Sequence, residues 1–120
     1  MQLGIVSFTA KGAELGYRLY EIFCEEGEDC SLYASPKLLT TEQEKAGARF
    51  LEGPIGQWAG QMFSRKQTMI FIGAAGIAVR AIAPFVKDKF SDPPVLVIDE
   101  GGQFVIPILS GHVGGANELA

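Results

Sequence analysis

The sequence predicts an α/β fold in which an open, mostly parallel β-sheet lies between two layers of helices. Three observations support this prediction. Short apolar runs rich in strand-forming residues alternate with segments of helical periodicity. Short turns with threonine or glycine connect apolar runs directly to helical segments, which is typical of β-α units. Near the end, an Asp-Glu-Gly-Gly stretch separates two apolar runs and predicts a β-hairpin.

The first half of the chain predicts a β-α-β unit followed by a polar connection. Residues 3–8 are a short apolar strand, and Thr9 stands where the N-cap of the following helix is expected. An acidic run ends this helix, and residues 30–34 return as a second strand. Residues 37–53 are polar and weakly periodic, which predicts a surface connection with a short helix around residues 41–48.

The second half predicts two more helices and three more strands. An apolar helical face begins at Ile55 and leads to a fully apolar strand at residues 68–72. A glycine-rich turn then opens a helix predicted over residues 77–86. Residues 95–98 and 104–109 are strands joined by the hairpin turn, so the last strand is antiparallel. The pattern predicts a three-layer open mixed, mostly parallel sheet of the flavodoxin/Rossmann-like type with a C-terminal β-hairpin.

Composition narrows the classes of protein. The 120 residues are 48% hydrophobic, which suffices for a single α/β domain over residues 1–120. The formal net charge is −4, without a dense run of Lys or Arg, so no nucleic-acid partner is expected. Neither a signal-like segment nor an apolar run of ~18 residues is visible, which predicts a cytoplasmic protein without a membrane partner.

No metal site is expected from the cysteine and histidine pattern. Cys24 and Cys30 are the two cysteines, and the lone histidine, His112, is far from both in sequence. This arrangement lacks the ligand spacing of a structural metal site. In a reducing cytosol a disulfide between the two cysteines is not expected either.

Three long blocks in the second half carry a family resemblance. They read GAAGIAVRAIAP, VKDKFSDPPVLVIDE and LSGHVGGANELA. Residues 71–120, which contain them, closely resemble the N-terminal module of the cobalt-precorrin-5A hydrolase family (cobalamin biosynthesis protein G) of the anaerobic cobalamin pathway. The first seventy residues are similar more loosely. A helix predicted over residues 116–120 has barely one turn, so we expect the natural chain to continue as a longer enzyme.

The resemblance implies a hydrolase of corrin-ring biosynthesis. Its reaction would open the δ-lactone of cobalt-precorrin-5A, release acetaldehyde and yield cobalt-precorrin-5B. The implied partners are a small-molecule cobalt-corrinoid substrate and the remaining domains of the parent enzyme. No cofactor is expected, because lactone hydrolysis needs no redox carrier and the cobalt belongs to the substrate.

Two glycine-rich loops are predicted to bind the carboxylates of such a substrate. Backbone N–H groups in these loops can approach an anion closely because glycine has no Cβ. The predicted binding residues are Gly73, Ala74, Ala75, Gly76, Ser110, Gly111, Gly114, Gly115 and Asn117. As an alternative, the glycines only permit sharp turns. Because the last strand is antiparallel, its exit loop can also lie at the sheet edge opposite Gly73, which would split the site.

Two cationic side chains are further candidates for carboxylate binding. Arg80 follows the first glycine-rich turn by one helical turn, where its guanidinium can hold a carboxylate bidentately. A surface ion pair with Asp88 or Asp92 is the alternative. Lys11, just after Thr9, is a weaker candidate that solvation alone would also explain.

His112 is the candidate catalytic residue. It is the single histidine, and histidine has the unperturbed pKa that suits general acid–base catalysis near neutrality. The alternative is a histidine that bonds to backbone in a glycine-rich turn. Ser110 lies two residues away without a specified third group, so attack by water is preferred to a serine nucleophile. Asp99 and Glu100 are assigned to the hairpin turn.

Other functions stay open at this point. A non-catalytic corrinoid-binding module of the same enzyme explains the two loops equally well. A flavodoxin-like nucleotide- or phosphate-binding domain shares the predicted fold, but the sequence lacks both G-x-G-x-x-G and G-x-x-x-x-G-K-[ST].

Overall fold

A computed structural model describes residues 2–109 of the protein as one six-stranded sheet with helices on both faces. The strands are β1 (Gln2–Ser7), β2 (Asp29–Ala34), β3 (Arg49–Phe50), β4 (Thr68–Ile72), β5 (Val95–Ile98) and β6 (Val105–Leu109). The helices are α1 (Ala10–Glu25), α2 (Thr41–Lys45), α3 (Ile55–Ser64) and α4 (Ala75–Ile82), with 3-10 turns at Pro36–Leu38 and Ala83–Phe85. The strand order is β3-β2-β1-β4-β5-β6.

All neighbouring strands are parallel except β5 and β6, which are antiparallel. Each face of the sheet has its own apolar core. Helices α3 and α4 cover a cluster that includes Val6, Met69, Phe71, Val95 and Val97. Helix α1 covers the other face, where the cluster includes Leu3, Ile5, Leu32, Ile70, Ile72 and Leu96. The predicted three-layer, mostly parallel fold with a C-terminal hairpin is therefore confirmed.

Strand β4 shows why the central strands are recognisable in the sequence. All five of its residues are buried, since helices cover both faces of the sheet. A strand buried on both sides has no polar positions to alternate with apolar ones. The prediction of residues 68–72 matches the observed bounds for that reason.

The packing of α3 on the sheet depends on Gly4 of β1, which has no side chain. A Cβ placed on Gly4 of β1 would lie 2.5 Å from Met62 Cε and 3.1 Å from Trp58 Cζ2. The Trp58 ring meets Phe71 edge-on, with ring centroids 5.6 Å apart and planes at 89°. Glycine on β1 thus lets α3 bury Trp58 and Met62 directly against the strands.

Helix α1 begins as the sequence predicts. Thr9 has an extended backbone, and its hydroxyl oxygen accepts a hydrogen bond from the Gly12 N–H at 3.0 Å. A threonine N-cap satisfies one of the N–H groups that a helix start leaves without a partner. The first strand-turn-helix unit is thereby fixed by local chemistry.

The structure corrects two predicted segments. Strand β3 lies inside the stretch 37–53 that we expected to be a connection, and it pairs with the end of β2 through only two exposed residues. A strand so short and exposed leaves no apolar pattern. Helix α4 begins at Ala75 and ends at Ile82, rather than spanning 77–86. Pro84 lies in the following 3-10 turn, because proline has no N–H for the α-helical hydrogen bond.

The hairpin between β5 and β6 is held by Asp99. Its carboxylate accepts hydrogen bonds from the N–H groups of Phe104 at 2.6 Å and Gly101 at 3.2 Å. The bond from Phe104, which favours the charged form, holds the pKa of Asp99 below its usual value. In the antiparallel register, Leu109 pairs with Val95 and Pro107 pairs with Leu96. The assignment of Asp99 to the turn is confirmed.

The two free thiols are expected to differ in reactivity. Cys24 is exposed, whereas Cys30 of β2 is buried, and burial raises the pKa of the Cys30 thiol to about 12. Because the thiolate is the reactive form, iodoacetamide at pH 8 should label Cys24 first and Cys30 only after denaturant is added. Mass spectrometry of the intact chain, with Cys24→Ser as the matched control, measures both rates. Equal labelling of both cysteines in the folded protein would contradict this assignment.

Candidate functional site

The strand order places a topological switch point between β1 and β4 at the carboxyl edge of the sheet. After β1 the chain passes through α1 to β2 on one side, whereas after β4 it passes through α4 to β5 on the other. Helices α1 and α4 lie on opposite faces. The connections that follow β1 and β4 therefore diverge, and such a topological switch point is where open α/β sheets bind ligands.

Gly73 follows β4 directly and lies at this switch point. Its backbone φ is 148°, a value that side-chain-bearing residues rarely adopt, and its N–H donates to the Ile98 carbonyl at 2.9 Å. A Cβ on Gly73 would lie 3.5 Å from Cδ2 of Phe8, so the connections after β1 and β4 meet here. The glycine thus serves a sharp turn, as the alternative interpretation expected, and the same turn lies at the switch point.

The first turn of α4 satisfies one of its own N–H groups, because the Ile77 N–H donates to the Ala74 carbonyl at 3.1 Å. Within residues 2–109 no side chain caps this helix at Ala74, in contrast to the Thr9 cap of α1. Ala74, Ala75 and Gly76 are exposed. A Cβ placed on Gly76 would meet no described atom within 4 Å. The N–H groups at a helix start carry partial positive charge, so an exposed turn of this kind favours an anion.

The two cationic candidates lie at different distances from the turn. Lys11 is the second residue of α1, the helix that follows β1, and is exposed. Arg80 is exposed in the last turn of α4, four residues after Gly76 and hence about 6 Å further along the axis. Helical side chains tilt toward the N-terminus, so an extended arginine can span that distance.

The second predicted loop is attached at the opposite edge. Ser110, Gly111, His112, Gly114, Gly115 and Asn117 lie outside the described residues. Leu109, which pairs with the first residue of β5, is at the amino edge of the sheet. The chain therefore leaves β6 at the edge away from Gly73, and the described residues do not bring the two loops together.

Sequence reasoning missed a cavity at that amino edge. It has a volume of about 490 Å³ and lies between the end of α3 and the segment that leads from α4 to β5. Its walls include Phe63, Lys66, Phe85 and Lys87. The residues come from two stretches about twenty positions apart, neither with a motif, so only the fold brings them together.

Residues 2–109 contain no group of three or more His, Cys, Asp or Glu side chains arranged to hold a metal ion. Over the same range, no helix combines the length and apolar character of a membrane span.

The fold defines an α/β module whose mostly parallel sheet has a topological switch point between β1 and β4. The chain belongs to the Cobalamin synthesis G N-terminal family, because the sequence model of that family matches residues 57–120, more than half of the chain. The resemblance expected from the sequence blocks is confirmed.

Individual relatives agree with this membership. A Salmonella typhimurium protein named cobalt-precorrin-5A hydrolase is 60% identical over 68 residues, which are 57% of this chain and 19% of that protein. A Priestia megaterium protein of the same name is 36% identical over 115 residues, 96% of this chain and 30% of that protein. The chain thus spans less than a third of either relative.

A solved structure supports the fold. The crystal structure of a cobalamin biosynthesis protein G homologue from Sulfolobus solfataricus aligns with a TM-score of 0.68 at 24% sequence identity. The alignment covers 99% of this chain and 32% of that one. The six-stranded arrangement described above is therefore one that this homologue largely shares.

Proposed function

We propose that this chain is the N-terminal module of a cytoplasmic cobalt-precorrin-5A hydrolase. In the proposed reaction, water opens the δ-lactone of the cobalt-corrinoid, acetaldehyde is released and cobalt-precorrin-5B is formed. The observation that carries the proposal is the 36% identity with the Priestia megaterium hydrolase over 115 residues, 96% of the chain. The remaining domains of the parent enzyme complete the protein, and the cobalt arrives with the substrate.

In this proposal the first turn of α4 binds a substrate carboxylate. Support comes from the exposure of Ala74, Ala75 and Gly76, the absence of a side-chain cap among the described residues and the place of this turn at the switch point. An anion at an uncapped helix start gains hydrogen bonds that water otherwise supplies. Lys11 and Arg80 add positive charge on α1 and α4, the two helices that begin at the switch point.

His112 is the proposed general acid–base catalyst. Lactone opening requires that the attacking water lose a proton and that the ring oxygen gain one as it leaves. An imidazole performs both transfers near neutral pH. No redox step is involved, so the proposal includes no cofactor.

The decisive measurement is acetaldehyde release from the lactone substrate by the full-length parent enzyme. Release is expected, and its absence would refute the proposed reaction. His112→Ala in the same enzyme is expected to lower kcat by about 10²- to 10⁴-fold, the usual contribution of a general acid–base group.

If the kcat of His112→Ala stays within about threefold of wild type, His112 is not the general acid–base catalyst. That result would favour the alternative function, a corrinoid-binding module whose catalytic groups lie elsewhere. Phe90→Ala, at a side chain that is 72% exposed on a surface segment, is the control variant. It should retain full turnover.

A further inference from the structure

The cavity at the amino edge of the sheet combines an apolar floor with cationic walls. The rings of Phe63 and Phe85 lie with centroids 5.8 Å apart and planes inclined at 36°. Gly60 of α3 makes room for this floor, since a Cβ there would lie 2.8 Å from Cζ of Phe85. Lys66 and Lys87 line the cavity beside the rings.

Lys66 has a backbone conformation that normally calls for glycine. Helices α1, α2 and α3 end in the same way, with a hydrogen bond that reaches back five residues around a left-handed residue. These bonds run from Glu28 N–H to Phe23 O (2.9 Å), from Ala48 N–H to Gln43 O (3.0 Å) and from Gln67 N–H to Met62 O (3.0 Å). The left-handed residue is Gly27 (φ 83°) in α1 and Gly47 (φ 112°) in α2, but Lys66 (φ 55°) in α3.

Lys66 is the residue other than glycine with positive φ in the part of the chain that the structure describes. The left-handed region brings Cβ close to the following carbonyl oxygen, so a lysine there is less stable than a glycine. The two other helix ends of the same chain use glycine. A lysine at this third end therefore places a cationic side chain in the cavity wall at a cost in backbone energy.

The acidic residue in the cavity wall, Asp92, accepts a hydrogen bond from the backbone. Asp92 is 7% exposed, and its carboxylate accepts a hydrogen bond from the Lys87 N–H at 2.8 Å, which ties together the segment before β5. Two lysines against this one carboxylate leave the cavity wall locally positive, although the whole chain has a net charge of −4. The cavity thus favours an anion where the overall charge does not.

We propose that this cavity binds a small organic carboxylate, with Lys66 and Lys87 facing its carboxylate and the rings of Phe63 and Phe85 beneath its apolar body. The volume of about 490 Å³ lies within the range of small-molecule pockets, roughly 300–1,000 Å³. The site is at the opposite edge of the sheet from Gly73 and does not depend on the proposed hydrolase activity.

The test is a titration of the chain with 2-naphthoate, followed by ¹⁵N–¹H NMR. We expect saturable shifts of the amide signals at residues 63–67 and 85–92. Lys66→Gly and Lys87→Ala should each weaken binding by about fivefold, as expected for one lost charge-assisted contact. Lys66→Gly should also leave the Tm unchanged or raise it by up to about 6 °C, because glycine suits the left-handed backbone.

Lys89→Ala is the matched control. Lys89 is in the same segment and carries the same charge, but its amino group lies 5.2 Å from the Phe90 ring centroid and the residue does not line the cavity. Its loss should leave the affinity within twofold of wild type, and the neutral 2-naphthamide should bind more weakly than 2-naphthoate. The proposal is overturned if 2-naphthoate shows no saturable binding, if the two cavity variants bind it like wild type, or if the amide binds equally well.

Discussion

Phe71→Ala is expected to lower the free energy of unfolding by about 3–5 kcal/mol. Phe71 is 1% exposed on the central strand β4, and its ring meets Trp58 edge-on at 5.6 Å. Truncation removes the buried apolar surface and leaves a void between β4 and α3 that the rigid sheet cannot close. Domains of this size have a free energy of unfolding of only about 5–15 kcal/mol, so this loss is a large part of the total stability. The midpoint of urea denaturation should therefore fall markedly.

Phe90→Ala provides the comparison for this prediction. The same chemical change is made at a side chain that is 72% exposed. Its effect on the free energy of unfolding should stay within about 0.5 kcal/mol, as is usual for surface substitutions. If Phe71→Ala cost no more than Phe90→Ala, the core on this face of the sheet would not be packed as described.

Gly4→Ala and Gly56→Ala are expected to have opposite effects on stability. At Gly4 the new Cβ would lie 2.5 Å from Met62 Cε and force α3 away from β1, at a cost of about 1–3 kcal/mol. At Gly56, in the first turn of α3, a Cβ meets no described atom within 4 Å. Alanine there should stabilise the protein by up to about 1 kcal/mol through its higher helix propensity.

Both variants can be measured in one series of urea denaturation curves followed by far-UV circular dichroism. Each variant adds a single methyl group. The difference between their free energies of unfolding therefore reports the space around each glycine and not the chemical nature of the substitution. If the denaturation curves of both variants were displaced from wild type in the same direction, α3 would not contact β1 as closely as described.

The elements that the sequence predicts well are those determined by local chemistry or by burial on both faces. Thr9 caps α1 through its own hydroxyl, and β4 is apolar throughout. Strand β3 escaped prediction because its two exposed residues are fixed by pairing with β2, which is a tertiary effect. The predicted end of α4 is too late because the residues after Ile82, which include a proline, form a 3-10 turn. The apolar periodicity does not mark the boundary between the α-helix and this turn.

The candidate site and the cavity also differ in how far the sequence predicts them. Gly73 is recognisable in the sequence because a sharp turn between a strand and a helix requires glycine, and its φ of 148° agrees. The opposite attachment of the second loop follows from the antiparallel β6, which the Asp-Glu-Gly-Gly turn already indicated. The cavity beside Lys66 was not predictable, since a left-handed backbone at a lysine has no signature in the sequence.

Strand β6 also has a consequence for self-association. A strand at the end of a sheet offers its backbone groups to strands of other molecules, and edge pairing of this kind leads to aggregation. Pro107 within β6 has no N–H, so it interrupts the row of donors that an incoming strand would need. At the other end of the sheet β3 has only two residues. Within residues 2–109, both ends of the sheet are therefore poor templates for stacking one chain upon another.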